Sequence, residues 1–227
     1  MKILLLWDID GTLLDSRGAG MLALGAALHN AFGITDLLEN IEYAGKTDGW
    51  IMRQIFAKVG LPATEENFAR YIHSYIAVLP EEMARRGARV LPGVRDLLET
   101  AAGRGDFAQG LLTGNLRRGA EAKLRYHGLW HRFPFGAFAD DSDIRNDLGP
   151  HALRRAREHH GVDFAPERVW VIGDTRHDVE CARAIGAHSL AVATGLHSAG
   201  ELSAHRPDAV LPDLADTSAF WRIVEAC

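Results

Sequence analysis

The stretch that decides the fold lies near the start of the chain and reads Leu4-Leu5-Leu6-Trp7-Asp8-Ile9-Asp10-Gly11-Thr12. Its continuous apolar half is typical of a strand that is buried on both faces of a parallel sheet. Because residues i and i+2 of a strand point to the same side, Asp8 and Asp10 are predicted to project together from its carboxyl end. Two neighbouring carboxylates repel each other and need a cation, and hard divalent ions such as Mg²⁺ prefer carboxylate oxygens. The stretch therefore predicts a cation site at the carboxyl edge of an α/β sheet.

Length and composition are those of a globular protein with room for one domain and a large insertion. The chain has 227 residues, of which 47% are hydrophobic and 24% charged, as is usual for folded domains. The net charge of −5 offers no basic surface, so we expect no nucleic-acid partner. Asp8 ends the N-terminal apolar run too early for a signal peptide or a membrane span, so we expect no membrane partner and a cytoplasmic location. Cys181 and Cys227 are expected to be free thiols.

Strand and helix patterns alternate along most of the chain. This alternation predicts an α/β fold with a Rossmann-like parallel sheet flanked by helices. The predicted strands are 3–7, 110–112, 137–139, 169–172, 189–192 and 209–211, and the predicted helices between and after them are 92–102, 116–127, 148–160, 177–185 and 216–226.

Residues 15–88 break this alternation. Three amphipathic patterns, 18–32, 49–59 and 65–86, predict consecutive helices with no strand between them. We predict that residues 15–88 form an all-helical cap domain inserted into an α/β core domain made of residues 1–14 and 89–227. The two connections, 15–18 and 88–92, are expected to act as hinges that let the cap close over the carboxyl edge of the sheet.

Two later predicted strands also end in polar residues. Thr113-Gly114-Asn115 follows one, and Gly173-Asp174 follows another, with Asp178 four residues further on. Taken separately, the first is typical of a strand-to-helix turn and the second of an acidic helix N-terminus. Because the carboxyl ends of parallel strands meet at one edge of the sheet, we predict that these groups lie near Asp8 and Asp10.

The order of these motifs resembles that of the haloacid dehalogenase superfamily. Within it, the chain is similar over essentially its whole length to phosphoglycolate phosphatases and related small-phosphomonoester phosphatases that have a helical cap. The resemblance implies a phosphoric monoester hydrolase with Mg²⁺ as cofactor and a small phosphorylated metabolite as substrate. It leaves the physiological substrate and the oligomeric state open.

The resemblance also implies a role for each motif residue. Asp8 would be the nucleophile that forms an aspartyl-phosphate, and Asp10 the general acid and base, for which we expect a raised pKa. Mg²⁺ would bind Asp8, the carbonyl of Asp10, and Asp174, while Asp178 would orient the metal shell or the basic residue. The residues implied in holding substrate or its phosphoryl group are Gly11, Lys46, Thr113, Gly114, Asn115 and Arg145.

The basic residue is where the chain departs from the family pattern. The third family motif usually carries a lysine, whereas the matching stretch 143–150 has Arg145 at that position and contains no lysine. We predict that Arg145 bridges the phosphate and Asp8, with a solvent-exposed loop arginine as the alternative. In the cap, residues 45–48 are the candidate for a loop that contacts substrate, with a simple turn as the alternative. The acidic cluster 140–143 is expected to be a solvated loop rather than a source of metal ligands.

Other functions are compatible with parts of this pattern. A phosphomutase of the β-phosphoglucomutase type keeps both aspartates, and a catalytically silent phosphate-binding regulatory protein would keep the fold. Family members that displace halide lack an aspartate at the position of Asp10 and use no Mg²⁺, so Asp10 and Asp174 argue against that reaction. The sequence leaves the mutase and the silent protein open as alternatives to the phosphatase.

Overall fold

A computed structural model describes residues 2–226 of the chain. Cys227 lies outside the described residues, whereas Cys181 is buried with a free thiol. The strands are β1 (Ile3–Trp7), β2 (Leu14–Asp15), β3 (Arg89–Val90), β4 (Phe107–Leu112), β5 (Gly136–Ala137), β6 (Val169–Gly173), β7 (His188–Val192) and β8 (Ala209–Leu211). The α-helices are α1 (Ala19–Phe32), α2 (Asp48–Val59), α3 (Glu65–Arg86), α4 (Val94–Gly103), α5 (Arg117–Tyr126), α6 (Leu148–His160), α7 (Arg176–Ala184), α8 (Ala199–Ala204) and α9 (Thr217–Val224).

Six of the strands form one parallel sheet in the order β5-β4-β1-β6-β7-β8. The fully buried β1 lies in its middle, paired with β4 and β6, and Trp7 is level with both Leu111 and Ile172. The three central strands therefore end together, which brings the residues that follow them to one edge. The α/β fold with a parallel sheet, flanking helices and a helical insert (α1–α3) is confirmed.

The alternation of side chains along β1 explains how the two faces of the sheet are covered. Leu5 and Trp7 belong to one buried cluster, in which Trp7 stacks on Phe220 with ring centroids 5.4 Å apart. Leu4 and Leu6 belong to a second cluster on the other face, with residues of α6 and α7. Full burial of each such side chain contributes about 1.5–3 kcal/mol, so both faces of β1 need a helical layer.

The insert has a hydrophobic cluster of its own. It is built mainly from α1, α2 and α3, with Phe56 against Tyr71 at 5.3 Å, and includes Leu116 and Ala139 from the sheet side. This separate cluster supports the predicted cap, although the boundaries at residues 14 and 88 stay a prediction. Among the described residues, no helix combines the length and the apolar character needed to cross a membrane.

Three elements were not predicted. β2 and β3 pair as an antiparallel ribbon in which Asp15 lies opposite Arg89, and the Arg89 Nε atom lies 3.1 Å from Asp15 Oδ2. The two predicted hinge segments are thus tied to each other. The short helix α8 lies between β7 and β8, in a stretch where no helix was predicted.

Candidate active site

Three buried carboxylates meet at the carboxyl edge of the sheet. Asp8 directly follows β1, Asp174 directly follows β6, and Asp178 lies in the first turn of α7. One oxygen from each lies within 4.8 Å of the other two. The backbone makes room for them, because a Cβ atom on Gly11 (φ +79°) would lie 2.4 Å from Asp174 Oδ2. Gly11 therefore permits both the turn after β1 and the close approach of Asp174.

Arg145 provides the positive charge of this cluster. It is buried in the turn before α6, where its Nη2 atom lies 3.1 Å from Asp8 Oδ1 and also donates to Asp178 Oδ1. Although burial disfavours its charge, the neighbouring Asp178 and Asp8 raise the pKa of Arg145. The alternative of a solvent-exposed loop arginine is wrong, and the predicted position beside Asp8 is the observed one. Its contact with phosphate stays a prediction.

The second carboxylate oxygen of Asp178, Oδ2, stabilises the start of α7. It accepts hydrogen bonds from the Thr175 backbone N–H at 3.0 Å and from the Thr175 hydroxyl at 2.8 Å. These bonds form part of the cap at the N-terminus of α7. Asp178 thus fixes the guanidinium of Arg145 from a helix that starts two residues after Asp174.

The group formed by Asp8, Asp174 and Asp178 fits a hard divalent cation. Burial raises the pKa of Asp8 to about 6, and the positive charge of Arg145 opposes this rise. Burial and the neighbouring charges of Asp8 and Asp178 raise the pKa of Asp174 well above its ordinary value. Among the described residues, the buried Oδ1 atom of Asp174 has no hydrogen-bond partner. Repelling carboxylates with an unsatisfied oxygen are the ligand set that such a cation stabilises.

Asp10 is held apart from these three carboxylates by different partners. Its Oδ2 atom accepts hydrogen bonds from Lys123 Nζ at 2.5 Å and Asn115 Nδ2 at 2.9 Å. Burial would raise the pKa of Asp10, but the charge and hydrogen bond of Lys123, together with the Asn115 bond, lower it. The expectation of a raised pKa for Asp10 is therefore wrong for this state of the site, because no sequence motif links Lys123 to Asp10.

Lys123 is the functional-site residue that sequence reasoning missed. It belongs to α5, is buried, and its ammonium also donates to Asn115 Oδ1 at 2.6 Å. The buried positions of α5 are Gly119, Ala120, Lys123 and Leu124, which form one face of the helix. A lysine at the apolar spacing of a helix is the signal that could have identified it.

The loop 45–48 of the insert contacts the turn after β4. The Asp48 backbone N–H donates to the Gly114 carbonyl at 2.6 Å, and the Thr47 hydroxyl donates to the Asp143 carbonyl at 2.7 Å. Gly114 has no room for a side chain, because a Cβ atom there would lie 2.3 Å from the Lys46 carbonyl oxygen. The loop is therefore more than a simple turn, since it joins the insert to the sheet edge.

The side chains of Lys46 and Thr113 occupy different environments. The Lys46 ammonium lies 3.6 Å from Glu42 Oε1 and 4.9 Å from the centre of the Trp50 ring. Thr113 is fully buried, and its hydroxyl accepts a hydrogen bond from Asn115 Nδ2 at 2.9 Å. Contacts of either residue with substrate stay a prediction.

The acidic cluster 140–143 lies outside the group of carboxylates that could hold a metal. Asp141 pairs with Arg155 through two 2.6 Å contacts, and Asp143 Oδ2 lies 2.6 Å from Arg53 Nε. Asp140 accepts the backbone N–H of Arg117 at 2.6 Å. Within residues 2–226 these side chains contact arginines and backbone N–H groups, and they are not part of the group formed by Asp8, Asp174 and Asp178.

A cavity of about 390 Å³ lies between the sheet edge and the insert, within the size range of small-molecule sites. Met21, Leu24 and Ile51 from the insert give it an apolar side. Thr113 and Asp178 are not among the described residues that line it, and lie behind those that do. The sequence-predicted site residues that line it are Asp8, Asp10, Gly11, Lys46, Gly114, Asn115, Arg145 and Asp174.

Known proteins similar to this chain include hydrolases and phosphatases, which agrees with a site that has a cavity and buried carboxylates. The profile of the haloacid dehalogenase-like hydrolases matches residues 5–183. The chain is 30% identical over 212 residues to a phosphoglycolate phosphatase of Synechococcus elongatus, covering 93% of each chain. It is 25% identical over 224 residues to the pyrophosphatase PpaX of Bacillus cereus, covering 95% of each. The solved structure of CbbY from Rhodobacter sphaeroides superimposes with a TM-score of 0.73 at 20% identity, covering 95% of this chain and 96% of that one.

Proposed function

The chain belongs to the haloacid dehalogenase-like hydrolases and is a phosphatase of that family, and from this premise we propose that it hydrolyses a small phosphomonoester with the help of Mg²⁺. The observation that carries the proposal is the buried group of Asp8, Asp174 and Asp178 with Arg145 beside it, at the edge of a cavity sized for a small molecule. Phosphatase relatives over nearly the full chain support small phosphorylated substrates.

The first half-reaction transfers the phosphoryl group to Asp8. A carboxylate oxygen of Asp8 attacks phosphorus, the bond between phosphorus and the leaving oxygen breaks, and Asp10 donates a proton to that oxygen. Arg145, 3.1 Å from Asp8, offsets the negative charge that gathers between nucleophile and phosphate. Asp8 and Asp174 with the Asp10 carbonyl would hold Mg²⁺, and Asp178 would orient that group. The bound cation would supply further neutralisation of the phosphate and carboxylate charges.

The second half-reaction regenerates Asp8. Asp10, now ionised, takes a proton from water, which attacks phosphorus and releases inorganic phosphate together with the free Asp8 carboxylate. In the free site Lys123 and Asn115 keep the pKa of Asp10 low, a state suited to the base. The acid role requires that the negative phosphoryl group raise the pKa of Asp10 when substrate binds, as a neighbouring negative charge does.

The test is hydrolysis of p-nitrophenyl phosphate and a panel of phosphorylated metabolites with and without Mg²⁺. We expect EDTA to abolish turnover and Asp8→Asn to fold normally but lose at least ~10³ in turnover, since the nucleophile is gone. Full activity in Asp8→Asn, or activity that survives EDTA, would overturn the proposal.

The same panel separates hydrolysis from phosphomutase chemistry. A phosphatase releases inorganic phosphate from a hexose phosphate, whereas a mutase returns the phosphoryl group to another position of the sugar. Product analysis by phosphorus NMR distinguishes the two outcomes for each ester that reacts. Phosphoglycolate is the first ester to test, because two phosphoglycolate phosphatases are among the relatives.

A further inference from the structure

Lys123 is a buried cation for which the proposed chemistry names only one effect, the low pKa of Asp10 in the free site. It is 4% exposed and reaches the cavity from α5, where it is close to Asp10 and Asn115. An ammonium is costly to bury, and a buried ion pair often stabilises a fold no more than apolar side chains of similar volume would. The location of this costly group at the cavity wall therefore calls for a functional reason.

The contacts of Lys123 fix the carboxylate of Asp10. Lys123 Nζ and Asn115 Nδ2 both donate to the same oxygen, Asp10 Oδ2, at 2.5 Å and 2.9 Å. Lys123 also holds Asn115 through its Oδ1 atom at 2.6 Å. The three side chains form a closed triangle of hydrogen bonds, so Asp10 has little freedom to rotate.

A second carboxylate from the insert completes the surroundings of Lys123. The charges of Asp10 and Asp48 raise the pKa of Lys123 although burial would lower it. Asp48 begins α2 and its Oδ2 atom accepts the backbone N–H of Leu116 at 2.8 Å. Lys123 therefore stays charged at a point where the insert meets the sheet edge.

We propose that Lys123 is a positioning residue that holds Asp10 at the cavity wall in the orientation needed to protonate the leaving oxygen. This assignment rests on the proposed function, because it takes Asp10 as the acid. Lys123 acts on the reaction through Asp10, so its loss impairs proton transfer more than it impairs phosphate binding.

The test compares two esters of nearly equal shape. Departure of phenolate from phenyl phosphate needs protonation, whereas p-nitrophenolate is a good leaving group and depends on it much less. In Lys123→Met we expect kcat/KM for phenyl phosphate to fall at least ~10-fold more than kcat/KM for p-nitrophenyl phosphate, since general acid catalysis contributes about 10²–10⁴. Equal losses for both esters would indicate a role in phosphate binding or in folding alone, and would overturn the assignment.

Two further measurements keep the test decisive. In an Asp10→Asn background the acid is absent, so adding Lys123→Met should leave the ratio of the two kcat/KM values unchanged; a further fall would overturn action through Asp10. If circular dichroism shows that Lys123→Met does not fold, Lys123→Gln is measured in the same way. Its side-chain amide can still donate a hydrogen bond to Asn115.

The controls separate this inference from the proposed function. Lys58→Met is the matched control, because Lys58 binds Asp36 at 2.6 Å on the surface of the insert, and we expect both esters to react as in wild type. A wild-type protein that hydrolyses neither of these esters nor any metabolite of the panel with Mg²⁺ would defeat the proposed function. An active wild type with an unchanged ester ratio in Lys123→Met would defeat only the role of Lys123.

Discussion

Arg145 is the residue that joins Asp8 and Asp178. Removing it leaves both carboxylates buried without their cation, and it removes the charge that faces the attacking oxygen. We expect Arg145→Ala to lower kcat/KM for p-nitrophenyl phosphate at least ~100-fold, as the loss of one preorganised charge does in other sites. Arg145→Lys should retain more activity than Arg145→Ala, because it keeps the charge but not the planar fork.

A half-buried arginine provides the control for this prediction. Arg155 pairs with Asp141 through two 2.6 Å contacts outside the cavity, so Arg155→Ala should reduce stability while kcat/KM stays near the wild-type value. Steady-state kinetics and thermal unfolding of the three variants are compared. Activity of Arg145→Ala within about threefold of wild type would contradict a catalytic charge at this position.

For single residues, short sequence motifs were enough to locate the carboxylates. They were insufficient to predict which side chains bind those carboxylates. Asp8 and Asp174 could be placed because each directly follows an apolar strand. Lys123 lies 113 positions from Asp10, and only the rotation of α5 brings the two together. The lowered pKa of Asp10 follows from that contact, which is why the predicted rise of this pKa was wrong.

Among the secondary-structure elements, the loop 45–48 and the turn after β4 are in close contact. Because a Cβ atom on Gly114 would lie 2.3 Å from the Lys46 carbonyl oxygen, Gly114→Ala has to push the loop or the turn aside. We expect at least ~10-fold lower kcat/KM, since small misplacements of positioning groups are costly to catalysis. Steady-state kinetics with p-nitrophenyl phosphate measures the change.

Gly103→Ala is the matched control for Gly114→Ala. Gly103 ends α4, and a Cβ atom there would meet nothing within 4 Å. Its replacement should leave kcat/KM unchanged and stabilise the fold by at most about 1 kcal/mol, because alanine favours helix more than glycine does. If Gly114→Ala behaves like Gly103→Ala, the loop does not depend on this contact.

Elements with a strong periodic pattern were predicted well, and those that depend on pairing were not. The predicted range 65–86 matches α3 and 148–160 matches α6. The ribbon of β2 and β3 has two residues in each strand, too few for any alternation to be visible. Helix α8 has six residues, less than two turns, and its capping box at Ser198 was the one available signal.

At the scale of the whole molecule, three large hydrophobic clusters account for the architecture, one on each face of the sheet and one in the insert. The change from strand alternation to three consecutive helices was enough to predict the insert. Its placement over the sheet edge depends on specific contacts such as Asp48 with Gly114 and Leu116, which no periodicity reveals. The ribbon of β2 and β3 also joins the two connections, since Asp15 pairs with Arg89 through both backbone and side chain.

The whole molecule should be stabilised by Mg²⁺, because a ligand that binds only the folded state raises the free energy of unfolding. At about 100 times Kd this amounts to about 2.7 kcal/mol, or a rise in Tm of about 5–10 °C for a chain of this size. In Asp174→Asn the rise should disappear, while the metal-free Tm increases because a carboxyl with a strongly raised pKa is no longer buried beside Asp8 and Asp178. Asp163→Asn is the control, since that side chain is 80% exposed and should leave the Mg²⁺ effect intact. Calorimetry that shows an equal Mg²⁺ shift in wild type and Asp174→Asn would place the cation elsewhere in the molecule and remove the basis for the carboxylate site.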